Sequence, residues 1–243
     1  LWILDRKIMD PQVGSRQEYA EYFGESPDIS FLKSDSTLYR VLPLQWNDAR
    51  LAAFGIASVQ GYHPAKPKLY QAFVDTVGIP GSLKTLQFLN VKYVILPDAI
   101  PGGMEGVTLR HDGNVKVYEI DGALPRAYLV HRLKAVRDDA VSLATIRTGA
   151  FDPAHEALWT EPDPLPLMSE PLVPDSVRTV RYDFNEAEFL VSSAASGLFV
   201  LADQWDPDWR VAVDGERVRL HRVSYLMRGV LLPPGVHRVR FTY

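Results

Sequence analysis

The sequence predicts an α+β protein in which an N-terminal mixed α/β domain is followed by a C-terminal antiparallel β-sandwich of the jelly-roll type. Helical and strand-like patterns alternate up to residue 160, and short strands alone follow residue 175. Residues 161–175 contain five prolines. Because proline removes backbone donors and fixes φ, this stretch is predicted to be an extended linker. The predicted domains are therefore 1–160 and 176–243, joined by 161–175.

In the first domain, hydrophobic spacing and turn residues predict the elements. Leu69, Phe73 and Val77 recur every four residues, which predicts a helix over 67–77. Ser82 is a typical N-cap for a second helix that ends near Asn90. The other predicted elements are helices over 16–23, 46–54 and 140–148, strands over 37–43, 56–60, 91–96 and 127–130, a hairpin over 107–120, and a short helix capped by Asp152 that runs to Trp159.

In the second domain, seven short strands are separated by Asn, Asp, Gly and Pro turn signals. This spacing is typical of a small antiparallel sandwich or jelly roll. The strands are predicted over 177–183, 188–193, 197–203, 209–213, 216–220, 226–232 and 237–243.

Composition narrows the classes of function. The chain of 243 residues has no cysteine, which excludes disulfides and thiolate metal sites. Its net charge is -4, so the arginines of the last quarter are predicted to be solvent-facing strand residues, and no nucleic-acid partner is expected. No apolar run reaches the roughly 18–20 residues of a membrane helix. The chain starts at Leu1 and stops at Tyr243 within a strand-like pattern, so we expect polypeptide on both sides.

No catalytic residue, metal or cofactor is predicted. The six histidines do not fall at ligand spacing, and both a Gly-x-Ser-x-Gly elbow and a phosphate-binding loop are missing from the sequence. Asp203, Asp206, Asp208 and Asp214 cluster near two tryptophans, and paired carboxylates can hydrolyse glycosides. Aspartate is also favoured in turns for its hydrogen bonds to the backbone. A free-standing glycosidase is therefore an alternative hypothesis.

Four residues of the second domain are candidates for glycan binding: Trp205, Trp209, Arg210 and Asp214. An indole can stack on the apolar face of a pyranose while polar neighbours bind its hydroxyls. In the alternative interpretation, one or both tryptophans close the open end of the sandwich.

Tyr62 and His63 are the candidates in the first domain. Pro64 restricts His63 to extended backbone, so a rigid loop after Gly61 would display both side chains at a rim. Alternatively, Tyr62 packs down beneath the same loop.

Ten segments, in this order and spacing, resemble the C-terminal extracytoplasmic region of YfhO-type bacterial membrane proteins. The resemblance covers most of residues 38–243. The segments are Gly-Tyr-His-Pro at 61–64, Tyr70, Leu-Asn-Val-Lys-Tyr-Val-Ile at 89–95, Val-Tyr-Glu at 117–119, Leu-Pro-Arg-Ala-Tyr-Leu-Val at 124–130, Phe-Asp-Pro at 151–153, Leu-Ala-Asp-Gln-Trp-Asp-Pro-Asp-Trp-Arg at 201–210, Val-Asp-Gly at 213–215, Arg-Gly-Val at 228–230 and Leu-Pro-Pro-Gly at 232–235.

The resemblance implies a polytopic protein similar to the GT-C glycosyltransferases, which move a sugar from a polyprenyl-phosphate donor to a cell-envelope acceptor. It implies that the catalytic acids lie in a loop outside this chain and that a membrane helix follows Tyr243. The chain would then be an accessory domain on the extracytoplasmic face of the cytoplasmic membrane. Its partners would be an envelope glycan and the membrane-embedded remainder of the same protein. The alternative is a structural or protein-interaction module of another membrane protein.

Overall fold

The computed structural model describes residues 24–44, 48–60, 67–162 and 169–243. These ranges contain five helices and 15 strands, and the strands form four mostly antiparallel sheets. The protein is therefore mostly β with some α. Its chain divides into two compact units: residues 1–62 with 93–119, and residues 63–92 with 120–243.

The first unit combines two helices with a four-stranded sheet of order β1-β2-β4-β3. Its elements are α1 (Pro27–Ser34), β1 (Arg40–Pro43), α2 (Asp48–Ala53), β2 (Val91–Leu96), β3 (Val107–Asp112) and β4 (Lys116–Ile120). Ser26 caps α1, since its hydroxyl accepts a hydrogen bond from the Ile29 amide at 3.4 Å. Ile29 and Leu32 of α1 pack with Ile95 of β2 in one buried cluster.

The second unit contains three helices with clear end signals. They are α3 (Lys68–Val77), α4 (Leu83–Phe88) and α5 (Asp139–Thr148). The Ser82 hydroxyl accepts from the Thr85 amide at 3.1 Å, and the Asp138 carboxylate accepts from the Val141 amide at 2.9 Å. Gly149 ends α5 with φ of 66°, a conformation that glycine adopts at little cost.

Two antiparallel sheets make up most of the second unit. Their orders are β13-β14-β10-β5 and β12-β11-β15-β9-β8, and β6 and β7 form a separate parallel pair. The strands are β5 (Ala127–Val130), β6 (Arg132–Ala135), β7 (Glu156–Trp159), β8 (Ser176–Tyr182), β9 (Glu186–Ser193), β10 (Gly197–Gln204), β11 (Arg210–Val213), β12 (Glu216–Val218), β13 (His221–Val223), β14 (Met227–Leu232) and β15 (Gly235–Thr242).

One buried cluster takes side chains from both of these sheets. The ring of Phe199 on β10 lies 5.3 Å from that of Phe189 on β9 and 6.1 Å from that of Phe241 on β15, between centroids. Residues alternate along β9, with Ala187, Phe189 and Val191 buried and their neighbours only partly so. Strand β9 thus turns alternate side chains toward the shared core.

Most of the predicted helices and strands are confirmed to within a few residues. The strand predicted over 56–60 is only an isolated bridge from Ser58 to Val41. The helix predicted over 16–23 lies outside the described residues, as does the start of the one predicted over 46–54. The short strands β6 and β13 were not predicted.

The short helix predicted from Asp152 to Trp159 is wrong. The Asp152 carboxylate accepts from the Ala154 amide at 3.2 Å, and only a turn follows. Glu156–Trp159 is strand β7, which pairs in parallel with β6. Leu158 is fully buried. The cap signal is real, but strand pairing and burial override it.

The predicted linker of residues 161–175 lies between segments that contact one another. Strand β5 precedes the proline-rich segment, yet it pairs with β10 from Leu198 to Leu201. Two ends of that segment are held by side chains of the second unit: Glu161 contacts His221 at 2.9 Å, and Asp175 contacts His131 at 2.8 Å. Contacts thus join residues on both sides of the predicted linker, and the predicted domain bounds stay a prediction.

Candidate functional site

A groove of about 410 Å³ lies beside the turn between β10 and β11. Its volume falls within the range of small-ligand sites, roughly 300–1,000 Å³. Trp205, Trp209 and Arg210 line it from the turn, and Arg217 and Arg219 line it from β12 and the residues after it. The structure thus brings three of the predicted glycan-binding residues to one groove.

The turn that carries both tryptophans is fixed by its own hydrogen bonds. The Asp206 carboxylate accepts from the Asp208 amide at 2.9 Å, which is the local bond that favours aspartate in turns. The Arg210 guanidinium donates to the carbonyl oxygens of Pro207 and Trp209 at 2.6 and 3.0 Å. Arg210 therefore closes the turn as well as lining the groove.

Trp209 contacts Arg228 and Tyr243 through its indole ring. The guanidinium carbon of Arg228 lies 3.7 Å from its ring centroid, and the ring of Tyr243 lies 5.3 Å away. Arg228 is buried, and its Nε donates to the Gln204 carbonyl at 2.9 Å. Trp209 also packs against the core shared by the two sheets. It fits both earlier interpretations, because it contributes to the core and lines the groove.

Trp205 is held through its backbone and by a neighbouring cation. Its amide donates to the Leu226 carbonyl at 2.6 Å. The guanidinium carbon of Arg222 lies 5.9 Å from the indole centroid, and Arg222 pairs with both carboxylate oxygens of Asp139. Since this indole is only half-buried, part of its surface is open to a ligand.

A buried polar network lies directly before the turn. Asp203 receives hydrogen bonds from Arg126 Nη1 at 3.0 Å and from the Tyr182 hydroxyl at 2.8 Å. Arg126 Nε donates to Asn90 Oδ1 at 2.7 Å, and only 5% of the Arg126 side chain is exposed. Asp203 stands two residues before Trp205, so the network anchors one end of the turn.

Asp214 is not among the residues that line the groove. It sits with Gly215 at the β11–β12 hairpin corner, both at positive φ. Its carboxylate accepts from the Arg238 amide at 2.7 Å and from His237 Nδ1 at 2.7 Å. The Arg238 amide first, and then His237, hold the pKa of Asp214 below its ordinary value. Its glycan-binding role stays a prediction.

Tyr62 and His63, the two glycan-binding candidates of the first predicted domain, lie outside the described residues.

Arg217 and Arg219 complete the groove, although their sequence pattern predicts only solvent-facing strand residues. Arg219 Nη2 lies 2.9 Å from Glu161 Oε2, whose other oxygen contacts His221. Three arginines thus face one carboxylate, that of Asp206, among the groove residues. The signal in the sequence was the alternation Arg-Val-Arg-Leu at 217–220, but only the fold places it opposite the tryptophans.

Each of the five described histidines contacts one carboxylate. The pairs are His111 with Asp28, His131 with Asp175, His155 with Asp152, His221 with Glu161 and His237 with Asp214. Within the described ranges, no group of three His, Cys, Asp or Glu side chains is placed to hold a metal ion. In these pairs the histidines act as partners of single acids.

The two contacts of the His131 ring predict a contribution to the free energy of unfolding that depends on pH. Its Nδ1 lies 2.9 Å from the Ser196 carbonyl and its Nε2 lies 2.8 Å from Asp175 Oδ2. Both partners are acceptors, so both ring nitrogens donate, which requires the imidazolium. Burial lowers the pKa of His131, but the hydrogen bonds to Asp175 and Ser196 outweigh it and raise the pKa above its ordinary value.

Because the folded-state pKa is raised, this stabilisation is complete below the unfolded value of about 6.5 and is lost as pH rises through the folded pKa. Urea unfolding of wild type and of His131→Gln from pH 5 to 9 should therefore give free energies that differ most at the acid end. His155→Gln is the control, since the His155 pair with Asp152 is exposed. Parallel pH curves for wild type and His131→Gln would contradict the assignment.

No protein-family model, curated protein or solved structure matches this chain. In the described part of the chain, no helix has the length and apolar character that crossing a membrane requires. The likeness to YfhO-type proteins therefore stays a prediction, which rests on the sequence segments given above.

Proposed function

We propose that this chain is an extracytoplasmic accessory domain of a polytopic bacterial membrane protein, one that resembles a polyprenyl-phosphate-sugar-dependent glycosyltransferase. In this proposal the chain binds or orients a cell-envelope glycan acceptor in the groove beside Trp205 and Trp209. It needs no cofactor, and the catalytic residues belong to the membrane-embedded remainder of the protein.

The observation that carries the binding proposal is the pairing of two indoles with arginines on a preformed turn. Indole faces supply apolar area for a sugar ring, and guanidinium groups donate to hydroxyl or carboxylate oxygens. The bonds of Asp206 and Arg210 fix the turn before any ligand arrives. Such preorganisation reduces the entropy that binding would cost.

We further propose that the two large antiparallel sheets form a β-sandwich of jelly-roll type. The ring centroid of Phe199 in one sheet lies 5.3 Å from that of Phe189 and 6.1 Å from that of Phe241 in the other sheet, within the shared cluster. Interdigitating side chains from two inner faces are what a sandwich core requires.

A structural or protein-interaction module is the second candidate. Its support is exposed apolar surface outside the groove: Phe184 is 94% exposed in the β8–β9 turn, and Leu172 is 101% exposed before β8. The two side chains lie beyond opposite ends of β8, so each would be a separate point of contact with a partner protein.

A glycan array of bacterial envelope oligosaccharides, probed with the purified chain, tests the first candidate. We expect retention of at least one glycan, and about 10-fold weaker binding by Trp205→Ala, which corresponds to about 1.4 kcal/mol. Phe184→Ala is the matched control, because it removes an aromatic ring outside the groove. Circular dichroism verifies that each variant is folded.

Equal binding by wild type and Trp205→Ala would contradict the groove as the site. If the chain binds no glycan on the array but crosslinks to a protein partner, and Phe184→Ala loses that crosslink, the second candidate is favoured. Membrane attachment is tested by the coding sequence around this chain, in which apolar segments of about 20 residues are expected.

A further inference from the structure

The five-stranded sheet carries six arginines on the face that points away from the core. Side chains on a strand alternate between faces, and on β9 Phe189 and Val191 point inward whereas Glu186, Glu188 and Leu190 do not. Cross-strand pairing places the arginines in register with these outward positions. The six are Arg178, Arg181, Arg210, Arg217, Arg238 and Arg240. We call them, together with Glu186 and Glu188, the outer arginine face.

Charge on this face has the opposite sign to that of the whole chain. Six guanidinium groups against the carboxylates of Glu186, Glu188 and Asp183, which lies 3.7 Å from Arg181, leave a formal charge of +3, whereas the chain carries -4. A basic face on an acidic protein is a local feature that net charge conceals.

The two glutamate carboxylates are covered by the arginines that they bind. Glu186 contacts Arg181 at 2.9 Å and Arg240 at 2.8 Å, and Glu188 contacts Arg238. Only 17% and 14% of the two glutamate side chains are exposed, against 55–60% for these three arginines. These arginines are therefore more exposed to solvent than the two glutamates, and Asp183 beside Arg181 is the exposed carboxylate, at 53%.

The other three arginines are not explained by ion pairing. Among the described residues, Arg178, Arg210 and Arg217 have no acidic partner within 4.0 Å. Exposed Arg–Glu pairs contribute little to stability, and unpaired arginines on the same face repel one another. An anionic partner that lies across the face would remove this repulsion.

The shape of the face fits a lipid surface better than a nucleic acid. Five strands spaced at 4.7–4.9 Å make an array roughly 19 Å wide. None of the outward residues of these strands is aromatic, so the face lacks the stacking platform that single-stranded nucleic acids use. Val236 is 63% exposed on this face, and Phe184 is 94% exposed in the β8–β9 turn beside it.

We propose that the outer arginine face docks on a membrane surface by binding the phosphate groups of anionic phospholipids. The arginines pair with the phosphates of several lipids at once. The exposed side chains of Val236 and Phe184 contact the boundary between the headgroups and the acyl chains. Arg210 and Arg217 of this face also line the groove, whereas Arg178, Arg181, Arg238 and Arg240 do not, so substitutions of these last four test docking apart from glycan binding.

Co-sedimentation of the purified chain with vesicles tests the proposal. We expect binding to vesicles of phosphatidylcholine with one third phosphatidylglycerol, no binding to pure phosphatidylcholine, and release as salt rises. Arg178→Gln with Arg240→Gln should weaken binding about 10-fold. Glu186 keeps Arg181 as a partner in this double variant, so the fold is expected to persist.

Arg137→Gln with Arg147→Gln is the matched control, because it removes the same charge from exposed positions outside the face. Equal vesicle binding by the test and control variants would overturn the proposal. So would equal binding of the wild type to both kinds of vesicle, or binding to soluble polyphosphate without binding to vesicles. Unchanged glycan binding by Arg178→Gln with Arg240→Gln would support docking as a function separate from the groove.

Discussion

Phe199→Ala is expected to lower the free energy of unfolding by about 3–5 kcal/mol. Phe199 is fully buried on β10, and its ring contacts Phe189 and Phe241 of the other large sheet. Truncation removes the apolar area of the ring and leaves a cavity that close-packed neighbours fill only partly. Urea unfolding followed by tryptophan fluorescence measures the loss.

Phe184→Ala is the matched control for this prediction, since the same ring is lost from a position that is 94% exposed. Its effect should stay within about 0.5 kcal/mol. A double-mutant cycle of Phe199→Ala with Phe241→Ala then tests the sandwich itself. A coupling above about 0.5 kcal/mol supports direct packing of the two sheets, whereas additive effects would contradict it.

The fold was predictable from sequence where the signal is local. Ser82 and Asp152 both carry side-chain cap chemistry, and alternation along β9 matches its burial. Asp152 shows the limit of such signals, because strand β7 pairs with β6 directly after the turn. A cap residue states where a helix can begin, but not whether the following residues have a better partner elsewhere.

Long-range pairing was not predictable in the same way. Strand β5 has the composition of any short buried strand, and nothing within 127–130 specifies β10 as its neighbour. The hydrogen bonds join residues about seventy positions apart, from Val130 to Leu198. Proline density marked 161–175 as extended chain, but the units are defined by such pairings rather than by composition.

The candidate site was predictable in part for the same reason. Trp205, Trp209 and Arg210 lie within six residues, so any turn keeps them close, and all three line the groove. Arg217 and Arg219 reach it only because β12 pairs with β11. Asp214 was expected beside them, yet a residue at a hairpin corner uses its carboxylate for the backbone of Arg238. Nearness in sequence therefore did not distinguish the residues that line the groove from Asp214, which does not line it.

Asp203→Asn is expected to destabilise the chain by about 3 kcal/mol. The side chains of Arg126 and Asp203 are only 5% and 14% exposed, and their atoms lie 3.0 Å apart. The variant keeps the shape of the side chain but removes the carboxylate charge 3.0 Å from the buried Arg126 guanidinium, which costs more than a neutral hydrogen bond returns. Urea unfolding gives the free energy, and Asp208→Asn, at an exposed position in the nearby turn, is the control.

Comparison with Tyr182→Phe separates the two contributions to the stability lost in Asp203→Asn, that of the charge and that of the hydrogen bond. Tyr182→Phe removes the hydroxyl that donates to Asp203 at 2.8 Å but keeps the ion pair with Arg126. Its expected cost is about 1.5–3 kcal/mol, the usual contribution of a hydrogen bond to a charged group. If the network anchors the turn, the Asp203 variant should also weaken glycan binding at temperatures where it is still folded, because Trp205 follows two residues later. A fully stable Asp203→Asn protein would show that Arg126 finds other acceptors, and the anchoring role would then be lost.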